Sequence, residues 1–298
     1  MAPGSKPVLE LDGRHLSVSN LDKLMYPAAG FTKAAVIDYY VRVAPVMVPH
    51  LAGRAVTMVR FPDGVDGESF FEKRCPSHAP AWVHRGDADG LVACVVDDTP
   101  TLAWTANLAA LELHTPQARV ADPDHPTSMV FDLDPGAPAD ILTCCTVALE
   151  LREVLGRLGL VSVVKTSGSK GLHLAVPVRG ATADDTKAFA LGLGQLLAGR
   201  HPDRVTVTMA KEARPNRVFL DWSQNDRHKT TVCAYSLRAG SRPVVSTPLS
   251  WDEVTDARDG GDPAALTFEA PSVLDRVQRL GDRYADNVDV DQELPALG

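Results

Sequence analysis

The sequence predicts an α+β fold, and the order of its apolar segments is the main reason. Between residues 128 and 209, four short apolar runs typical of strands alternate with two longer segments of helical periodicity. The order β-α-β-β-α-β is that of a ferredoxin-like (RRM-like) unit, whose first and third strands lie side by side at the sheet centre. The segment "RVFLDWSQ" (217–224) adds a further strand, and residues 1–125 mix helices with strands. We therefore expect two mixed α/β halves packed together.

Caps and periodicity place the individual elements. Thr32 is a good N-cap for the helix "TKAAVIDYYVRVAPVMVPHL", and Asp140 for a helix that runs to about Leu158. "GRAVTMVR", "LVACVVDD" and "RVTVTM" have the pattern of strands. "TPTLAWTANLAALELH" begins as a helix, and "TADDTKAFALGLGQLLAG" is a second helix of the ferredoxin-like unit.

Length and composition exclude several classes of protein. The chain has 298 residues, 45% hydrophobic and 23% charged, as in an ordinary globular protein. The sequence contains no run of eighteen apolar residues, so no membrane span is expected. The segment "MAPGSKPVLELDG" lacks the apolar core of a secretory signal. Five cysteines show no C-x-x-C pair and no disulfide framework, which favours a reducing cytoplasm. A zinc site at Cys75, His78, His84 and Cys94 is not favoured, because the spacing matches no known zinc knuckle.

The net charge of −8 is unevenly distributed. Residues 241–298 hold twelve acidic side chains and five arginines, which accounts for −7 of it. Residues 200–240 hold eight Lys or Arg against four acidic residues. A cationic surface can therefore exist on this acidic protein, so its overall charge does not exclude a nucleic-acid partner.

Two carboxylates in the apolar run "VFDLD" (130–134) indicate a metal site. Asp132 and Asp134 are two positions apart on a predicted strand, so they point to the same face, roughly 6–7 Å apart. Paired anions on a buried strand repel and lose hydration unless a cation lies between them. Asp221 follows a similar apolar run, and three carboxylates suit Mg²⁺ or Mn²⁺. The alternative is that Asp134-Pro-Gly is a simple turn and that Asp221 caps a strand end.

A second motif is "KTSGSKGLHL" (165–174). It differs from a Walker A loop because Gly171 follows Lys170, and because it lies between two strands. A turn of small residues with Ser169 and Lys170, followed by His173, could bind a triphosphate through backbone N–H groups, a hydroxyl and cations. The alternative is a glycine-rich hairpin with a surface lysine.

Three enzyme classes place D-x-D at a strand end. A haloacid-dehalogenase-type phosphatase requires Thr or Val where this chain has Gly136. A D-x-D glycosyltransferase assigns no role to "SGSKGLH" or to Asp221. A nucleotidyltransferase uses all three motifs.

The motifs "VFDLDPG", "KTSGSKGLHL" and "RVFLDWSQN", in this order and spacing, resemble those of the archaeo-eukaryotic primase superfamily. The chain is most similar to the polymerase domain of bacterial DNA ligase D. The resemblance extends to "NLDKLMYP", "DGESFFEKRCP" and "PLSWDEV", and so spans nearly the whole chain. It implies a primase-polymerase fold in one domain, 1–298, with a DNA-end-binding half (about 1–125), a catalytic half (about 126–240) and an acidic C-terminal part (241–298).

The resemblance also implies the residues of the catalytic site. Two Mn²⁺ or Mg²⁺ ions would be held by three aspartates, and the incoming NTP or dNTP would be bound by five polar side chains. The aspartates are Asp132, Asp134 and Asp221, and the nucleotide-binding residues are Ser169, Lys170, His173, Gln224 and Arg238.

A third set of residues is implied for DNA. Asn20, Lys23 and Lys33, with Lys73 beside them, match a pocket for a 5′-phosphate, a dianion that needs several donors at one place. Phe70 and Phe71 match a pair that stacks on bases, and we expect one of the two rings to be exposed because neighbours on a strand face opposite ways. Arg60 and Arg214 are further candidates for strand contacts.

The expected function is DNA-directed nucleotidyl transfer that fills gaps and extends ends during double-strand-break repair. The resemblance implies a preference for ribonucleotides, DNA with gaps, recessed ends or overhangs as substrate, and Ku and a DNA ligase as partners. It also implies a cytoplasmic, nucleoid-associated location without a membrane partner. The alternatives are a non-catalytic DNA-end-binding or synapsis module, and a strict primase that starts chains without a primer.

Overall fold

The computed structural model describes residues 7–296, and the first six residues, with the start of the segment tested for a secretory signal, lie outside it. No helix within 7–296 is long and apolar enough to cross a membrane. The helices are α1 (Lys33–Leu51), α2 (Thr99–Asn107), α3 (Ile141–Arg157), α4 (Ala183–Arg200), α5 (Trp251–Gly260), α6 (Ala270–Leu280) and α7 (Asp286–Asp289). The strands are β1 (Val8–Leu11), β2 (Arg14–Ser17), β3 (Leu24–Tyr26), β4 (Phe31–Thr32), β5 (Ala55–Arg60), β6 (Phe70–Glu72), β7 (Arg85–Ala88), β8 (Leu91–Val95), β9 (Ala110–Thr115), β10 (Ala118–Arg119), β11 (Asp122–Pro126), β12 (Ser128–Pro135), β13 (Val163–Thr166), β14 (Leu172–Pro177), β15 (Val205–Thr206), β16 (Val218–Asp221), β17 (Thr231–Val232) and β18 (Pro248–Leu249).

The predicted helix starts are confirmed. The Thr32 side chain accepts a hydrogen bond from the Ala35 amide at 3.3 Å, which caps α1. The Asp140 carboxylate accepts from the Leu142 amide at 3.0 Å and the Thr143 amide at 3.2 Å, which caps α3. The segment "TPTLAWTANLAALELH" divides into α2 and the buried strand β9.

Two six-stranded sheets form the centre of the molecule. The catalytic sheet has the order β15-β16-β12-β14-β13-β18, and the N-terminal sheet has the order β17-β9-β5-β8-β7 with β6 also paired to β5. Strand β17 comes from the later part of the chain but pairs with β9. The chain after the boundary expected near residue 125 therefore contributes one strand to the N-terminal sheet.

The catalytic sheet follows the predicted ferredoxin-like order with one insertion. Strands β12 and β14 are central neighbours, as expected. Strand β16, however, lies between β15 and β12, parallel to the first and antiparallel to the second. The predicted strand "RVTVTM" is reduced to Val205–Thr206, because the Thr206 hydroxyl accepts from the Thr208 amide and the chain turns away there. The inserted strand carries Asp221 into the middle of the sheet.

Each face of the catalytic sheet is covered differently. Leu133, Leu172 and Leu174 face a core shared with α3 and α4. Val130 and Ala175 face the opposite way and join the core of the N-terminal half. Asp132 and His173 alternate with the leucines, so they point toward the N-terminal half. The site therefore lies between the two halves.

The structure corrects the prediction that the chain has no disulfide. Cys75 and Cys94 are bonded to each other, nineteen residues apart. Cys94 lies on β8, and the Cys75 amide donates to the Val92 carbonyl at 2.8 Å, so the sheet holds the two segments side by side. Sequence spacing alone could not show this proximity. The bond also removes both sulfur ligands from the unfavoured zinc site.

Candidate active site

The carboxylates come from two adjacent strands. In the β12–β16 ladder Asp132 lies directly opposite Asp221, and Asp134 lies opposite Phe219. Directly opposed residues of an antiparallel pair share one face of the sheet. Asp132 and Asp134 share that face by their two-residue spacing. The three aspartates that the sequence indicates therefore lie together, because β16 is inserted next to β12.

The two opposed carboxylates, Asp221 and Asp132, have polar partners within the protein. Asp221 Oδ1 accepts from the Ser223 amide at 3.0 Å and its hydroxyl at 2.6 Å, and Asp221 Oδ2 accepts from Gln224 Nε2 at 2.9 Å. Asp132 Oδ1 lies 3.3 Å from His173 Nε2. Within residues 7–296, no three acidic, His or Cys side chains already converge on one point that could hold a metal ion. Binding a cation here therefore requires these side chains to exchange protein donors for the ion.

The protonation behaviour of the aspartates reflects their crowding. Burial raises the pKa of Asp134 to about 6, with the charges of Asp132 and Asp221 acting in the same direction and those of Arg214 and Lys170 opposing. Burial also raises the pKa of Asp132, but the contact with His173 and the charges of Lys165 and Arg238 outweigh it, so the net shift is downward. This concentration of negative charge, built only from oxygen donors, fits a hard divalent cation.

The turn 167–171 lies against the end of β12. The Ser167 hydroxyl accepts from the amides of Ser169 and Gly171, both at 3.2 Å, which fixes the turn. A Cβ on Gly171 would lie 1.9 Å from the Leu133 carbonyl oxygen, so only glycine permits this approach. The Ser169 and Lys170 side chains are exposed and line a cleft of about 530 Å³ beside the start of α3. The charge of Lys170 acts on Asp134, which places the turn next to the carboxylates.

Arg238 and Gln224 lie at the same site. Gln224 contacts Asp221, as described above. Arg238 Nε lies 3.3 Å from Oε1 of Glu112 on β9, an ion pair without hydrogen-bond geometry. The Arg238 charge also lowers the pKa of Asp132. Arg238 therefore connects the catalytic sheet to the N-terminal sheet.

Arg214 lies beside the carboxylates. Its guanidinium is 3.9 Å from the ring centroid of Phe219, and its charge lowers the pKa of Asp134. A Cβ on Gly136 would lie 2.1 Å from the Arg214 carbonyl oxygen, so the "DPG" turn packs directly on this segment. The expected contact of Arg214 with a DNA strand stays a prediction.

Sequence reasoning missed several residues of the site. Lys165, on β13, is buried, and its Nζ lies 3.2 Å from His173 Nδ1. Glu112 accepts from the Ala239 amide at 2.8 Å and lies 2.9 Å from His114 Nε2. For Lys165, the sequence offered one signal: the alternation in "VVKTS" places it on the same face of the sheet as His173. Glu112 and His114 had none, because their role depends on contact between the two halves.

Three of the four expected 5′-phosphate residues lie together. The Lys33 amide donates to the Lys23 carbonyl at 2.8 Å, and the Lys23 amide donates to the Asn20 carbonyl at 3.1 Å. The Lys33 ammonium is buried and donates to the Ser19 carbonyl at 2.8 Å. The Lys23 ammonium donates to the Pro62 carbonyl and to Asp63, each at 2.8 Å. Backbone hydrogen bonds thus hold Asn20, Lys23 and Lys33 together before α1.

Lys73 is not beside them. Strand β6 runs antiparallel to β5, with Phe70 opposite Arg60 and Glu72 opposite Met58. Lys73, the next residue, is therefore carried away from Pro62, where Lys23 is anchored. It lines a separate cavity of about 190 Å³ with residues 227–230. The expectation that Lys73 joins the phosphate pocket is corrected for this structure.

The aromatic pair is more exposed than expected. Phe70 is 43% and Phe71 is 68% exposed, so both rings reach solvent instead of one. The reason is that β6 is a short edge strand that the core does not cover on either face at this point. The Arg60 guanidinium lies 5.2 Å from the Phe70 ring centroid and also donates to the Leu108 carbonyl and Glu72, each at 2.8 Å. Arg60 therefore positions Phe70, and its expected contact with a DNA strand stays a prediction.

Comparison with solved structures shows the same architecture. The polymerase domain from Mycobacterium tuberculosis ligase D, solved in complex with DNA, matches with a TM-score of 0.86 and 40% identity, over 92% of this chain and 98% of that one. The fold and the site therefore define a protein of the primase-polymerase class. A family model described as "LigD, primase-polymerase domain" matches residues 32–284. The chain belongs to this LigD primase-polymerase domain family.

Curated relatives carry further segments. The multifunctional non-homologous end joining protein LigD of Mycolicibacterium smegmatis is 43% identical over 275 residues, 90% of this chain and 35% of that protein. The bifunctional non-homologous end joining protein LigD of Bacillus subtilis is 32% identical over 273 residues, 91% of this chain and 44% of that protein. The chain thus spans between a third and a half of the length of these relatives.

Proposed function

We propose that this chain is a DNA-directed nucleotidyltransferase that fills gaps and extends ends during non-homologous end joining. The observation that carries the proposal is the pairing of Asp132 with Asp221 across β12 and β16, with Asp134 and the turn 167–171 beside them. Membership in the LigD family supports the repair context.

Divalent ions are part of the proposal. Asp132, Asp134 and Asp221 would hold two Mn²⁺ or Mg²⁺ ions through their carboxylate oxygens. When bound, such ions lower the pKa of a primer 3′-hydroxyl and neutralise charge on the leaving pyrophosphate. The Ser223 hydroxyl and Gln224 Nε2, which donate to the two oxygens of Asp221, orient this carboxylate before a cation binds.

The remaining residues would position the nucleotide. Ser169 and Lys170 offer a hydroxyl, backbone N–H groups and an ammonium at a cleft that is also lined by Pro135, the residue after Asp134. His173 and Arg238 lie next to Asp132 and would stabilise negative charge that develops on the triphosphate. Arg214, next to Asp134, is in position to do the same from the other side.

The DNA end would be held by the N-terminal half. The proposed 5′-phosphate site consists of Asn20, Lys23 and Lys33. Hydrogen bonds between their backbones hold these residues together before α1. The exposed rings of Phe70 and Phe71 would stack on unpaired bases, at roughly 1–3 kcal/mol per base. The M. tuberculosis neighbour was solved with DNA, which supports a nucleic-acid partner for this chain. Ribonucleotide preference, and Ku and a DNA ligase as partners, are further parts of this proposal.

Primer extension on gapped DNA tests the proposal. We expect extension with Mn²⁺ or Mg²⁺, and more extension when the downstream strand carries a 5′-phosphate than when it carries a hydroxyl. Binding without extension would instead select an end-binding module, and extension indifferent to the phosphate would select a strict primase. Matched rNTP and dNTP pools in the same assay measure the sugar preference.

Replacing Asp132 and Asp134 by Ala should abolish extension, because the cation site would lose two of its three carboxylates. DNA binding, measured by fluorescence anisotropy, should remain close to the wild-type value, since the phosphate site is on the other half. The Asp38→Ala variant, on the exposed face of α1, is the control for removal of a surface carboxylate. Retained extension by the double variant would contradict the assignment.

A further inference from the structure

A buried lysine lies directly behind His173. Lys165 faces His173 across the β13–β14 ladder and is only 3% exposed. Among residues 7–296, no carboxylate lies within ion-pair distance of its ammonium. Burying a lysine side chain costs free energy whether it is charged or neutral, so its retention on an interior strand points to a role beyond packing.

The contacts of Lys165 fix the direction of its hydrogen bonds. Its Nζ donates to Ser246 Oγ at 2.7 Å, and the Ser246 hydroxyl donates its own proton to the Thr166 carbonyl at 2.8 Å. The next neighbour of Nζ is His173 Nδ1 at 3.2 Å. Burial lowers the pKa of Lys165 to about 7, so both the ammonium and the amine are populated near neutral pH. In either form one N–H stays on Ser246 and another is available to His173 Nδ1, which then accepts.

The other ring nitrogen agrees with this direction. If Nδ1 accepts, the proton of the neutral ring is on Nε2, which lies 3.3 Å from Asp132 Oδ1. An N–H directed at a carboxylate is attracted to it, whereas a lone pair would be repelled. Both sides of the imidazole therefore select one tautomer.

We propose that Lys165 is a positioning residue for nucleotidyl transfer, which holds His173 as the Nε2–H tautomer with this N–H directed at the space between Asp132 and the incoming triphosphate. This inference rests on the proposed function. Once the Asp132 carboxylate turns to a cation, the His173 N–H becomes available to a phosphate oxygen without any rotation of the ring. A donor oriented in advance stabilises charge that develops in the transition state.

The first test needs no variant and no activity. In long-range ¹H–¹⁵N spectra of the wild-type chain at neutral pH, His173 should show a proton on Nε2 and an accepting Nδ1. A proton on Nδ1, or on both nitrogens, would overturn the proposal. Because this measurement does not use primer extension, it stands even if the chain proves to lack polymerase activity.

The second test is a double-mutant cycle in primer extension. Lys165→Met should lower kcat about ten- to a hundredfold, as loss of the partner of a functional histidine typically does, with a smaller change in the KM of the nucleotide. His173→Gln replaces the ring with an amide that has no tautomers and keeps an N–H close to the Nε2 position. In this background Lys165→Met should cost less than about twofold, because there is no ring left to orient.

Equal losses in both backgrounds, with active protein, would show that Lys165 is only structural and would overturn the proposal. Lys229→Met, which removes an exposed lysine outside the site, is the matched control and should show no coupling to His173. If Lys165→Met does not fold, Ser246→Ala replaces it in the cycle, since it removes the acceptor that anchors the ammonium. A loss with Ser246→Ala that persists in the His173→Gln background would likewise overturn the proposal.

Discussion

At the scale of single residues, the tightest constraint in the site is a backbone approach. Gly171 lies so close to the Leu133 carbonyl that a methyl group cannot be accommodated without moving β12. We expect Gly171→Ala to reduce the free energy of unfolding by about 1–3 kcal/mol, as overpacking does. It should also lower nucleotide affinity, because the turn that carries Ser169 and Lys170 would be displaced. Chemical denaturation and nucleotide titration measure the two effects.

The control for this substitution is Gly199→Ala. Gly199 lies in α4, and a Cβ there would have no atom within 4 Å. Alanine is the better helix former, so this variant should be neutral or more stable by up to about 1 kcal/mol. If both variants behaved alike, close packing at Gly171 would not be the reason for its glycine.

Residue types with a strong chemical meaning could be predicted from the sequence. The alternation of Asp132 and Asp134 placed both on one face, and the apolar run before Asp221 indicated an equivalent position. Lys165 and Glu112 could not be predicted in the same way. Each acts through a partner on another strand or another sheet, and a single sequence does not show which residues face each other.

At the scale of elements, periodicity predicted helices better than strands. The helices after Thr32 and Asp140 begin where their caps predict, because capping is a local interaction. The insertion of β16 beside β12 could not be predicted. The position of β16 in the sheet depends on packing between residues that are far apart in the chain.

The disulfide is an element-scale feature that a variant can test. It closes a loop of nineteen residues, from the end of β6 to β8, and such a closure is worth about 3 kcal/mol in the chain-entropy estimate. A reductant should therefore lower the thermal midpoint of the wild-type protein, which differential scanning calorimetry would measure.

The Cys75→Ser/Cys94→Ser double variant should already have the lower midpoint and should not respond to the reductant. The other cysteines, 144, 145 and 233, are buried and free, so they serve as the internal reference in thiol labelling. Free thiols at 75 and 94 after purification without reductant would contradict the bond.

At the scale of the whole molecule, the C-terminal region is tied to the first helix by a buried carboxylate. Asp282 Oδ2 lies 2.8 Å from Nε2 of His50 on α1, and Asp282 Oδ1 accepts from the Tyr235 hydroxyl at 2.6 Å. Burial raises the pKa of Asp282, but the His50 and Tyr235 contacts outweigh it, so the pKa is lowered. We expect Asp282→Asn to reduce the free energy of unfolding by about 1–3 kcal/mol at neutral pH.

The sign of the pH dependence follows from this shift. A carboxyl group whose pKa is lower in the folded state stabilises the fold above its unfolded value of about 3.9, and this contribution is lost as the pH falls through the folded value. The difference between wild type and Asp282→Asn should therefore narrow in acid. Denaturation curves from pH 7 to 3 measure it, with the exposed Asp38→Asn as control. A difference that does not change with pH would contradict the role of the charge.

Because β16 is inserted beside β12, the group of three aspartates can form only after the chain has been synthesised past Asp221. Asp221 is synthesised eighty-nine residues after Asp132, and the segment that pairs with the N-terminal sheet, β17, follows it. A nascent or truncated chain that stops before β16 lacks both a central strand and the third carboxylate. Such a fragment cannot pair Asp132 with Asp221, so under the proposed function it would have no complete cation site and could not add nucleotides.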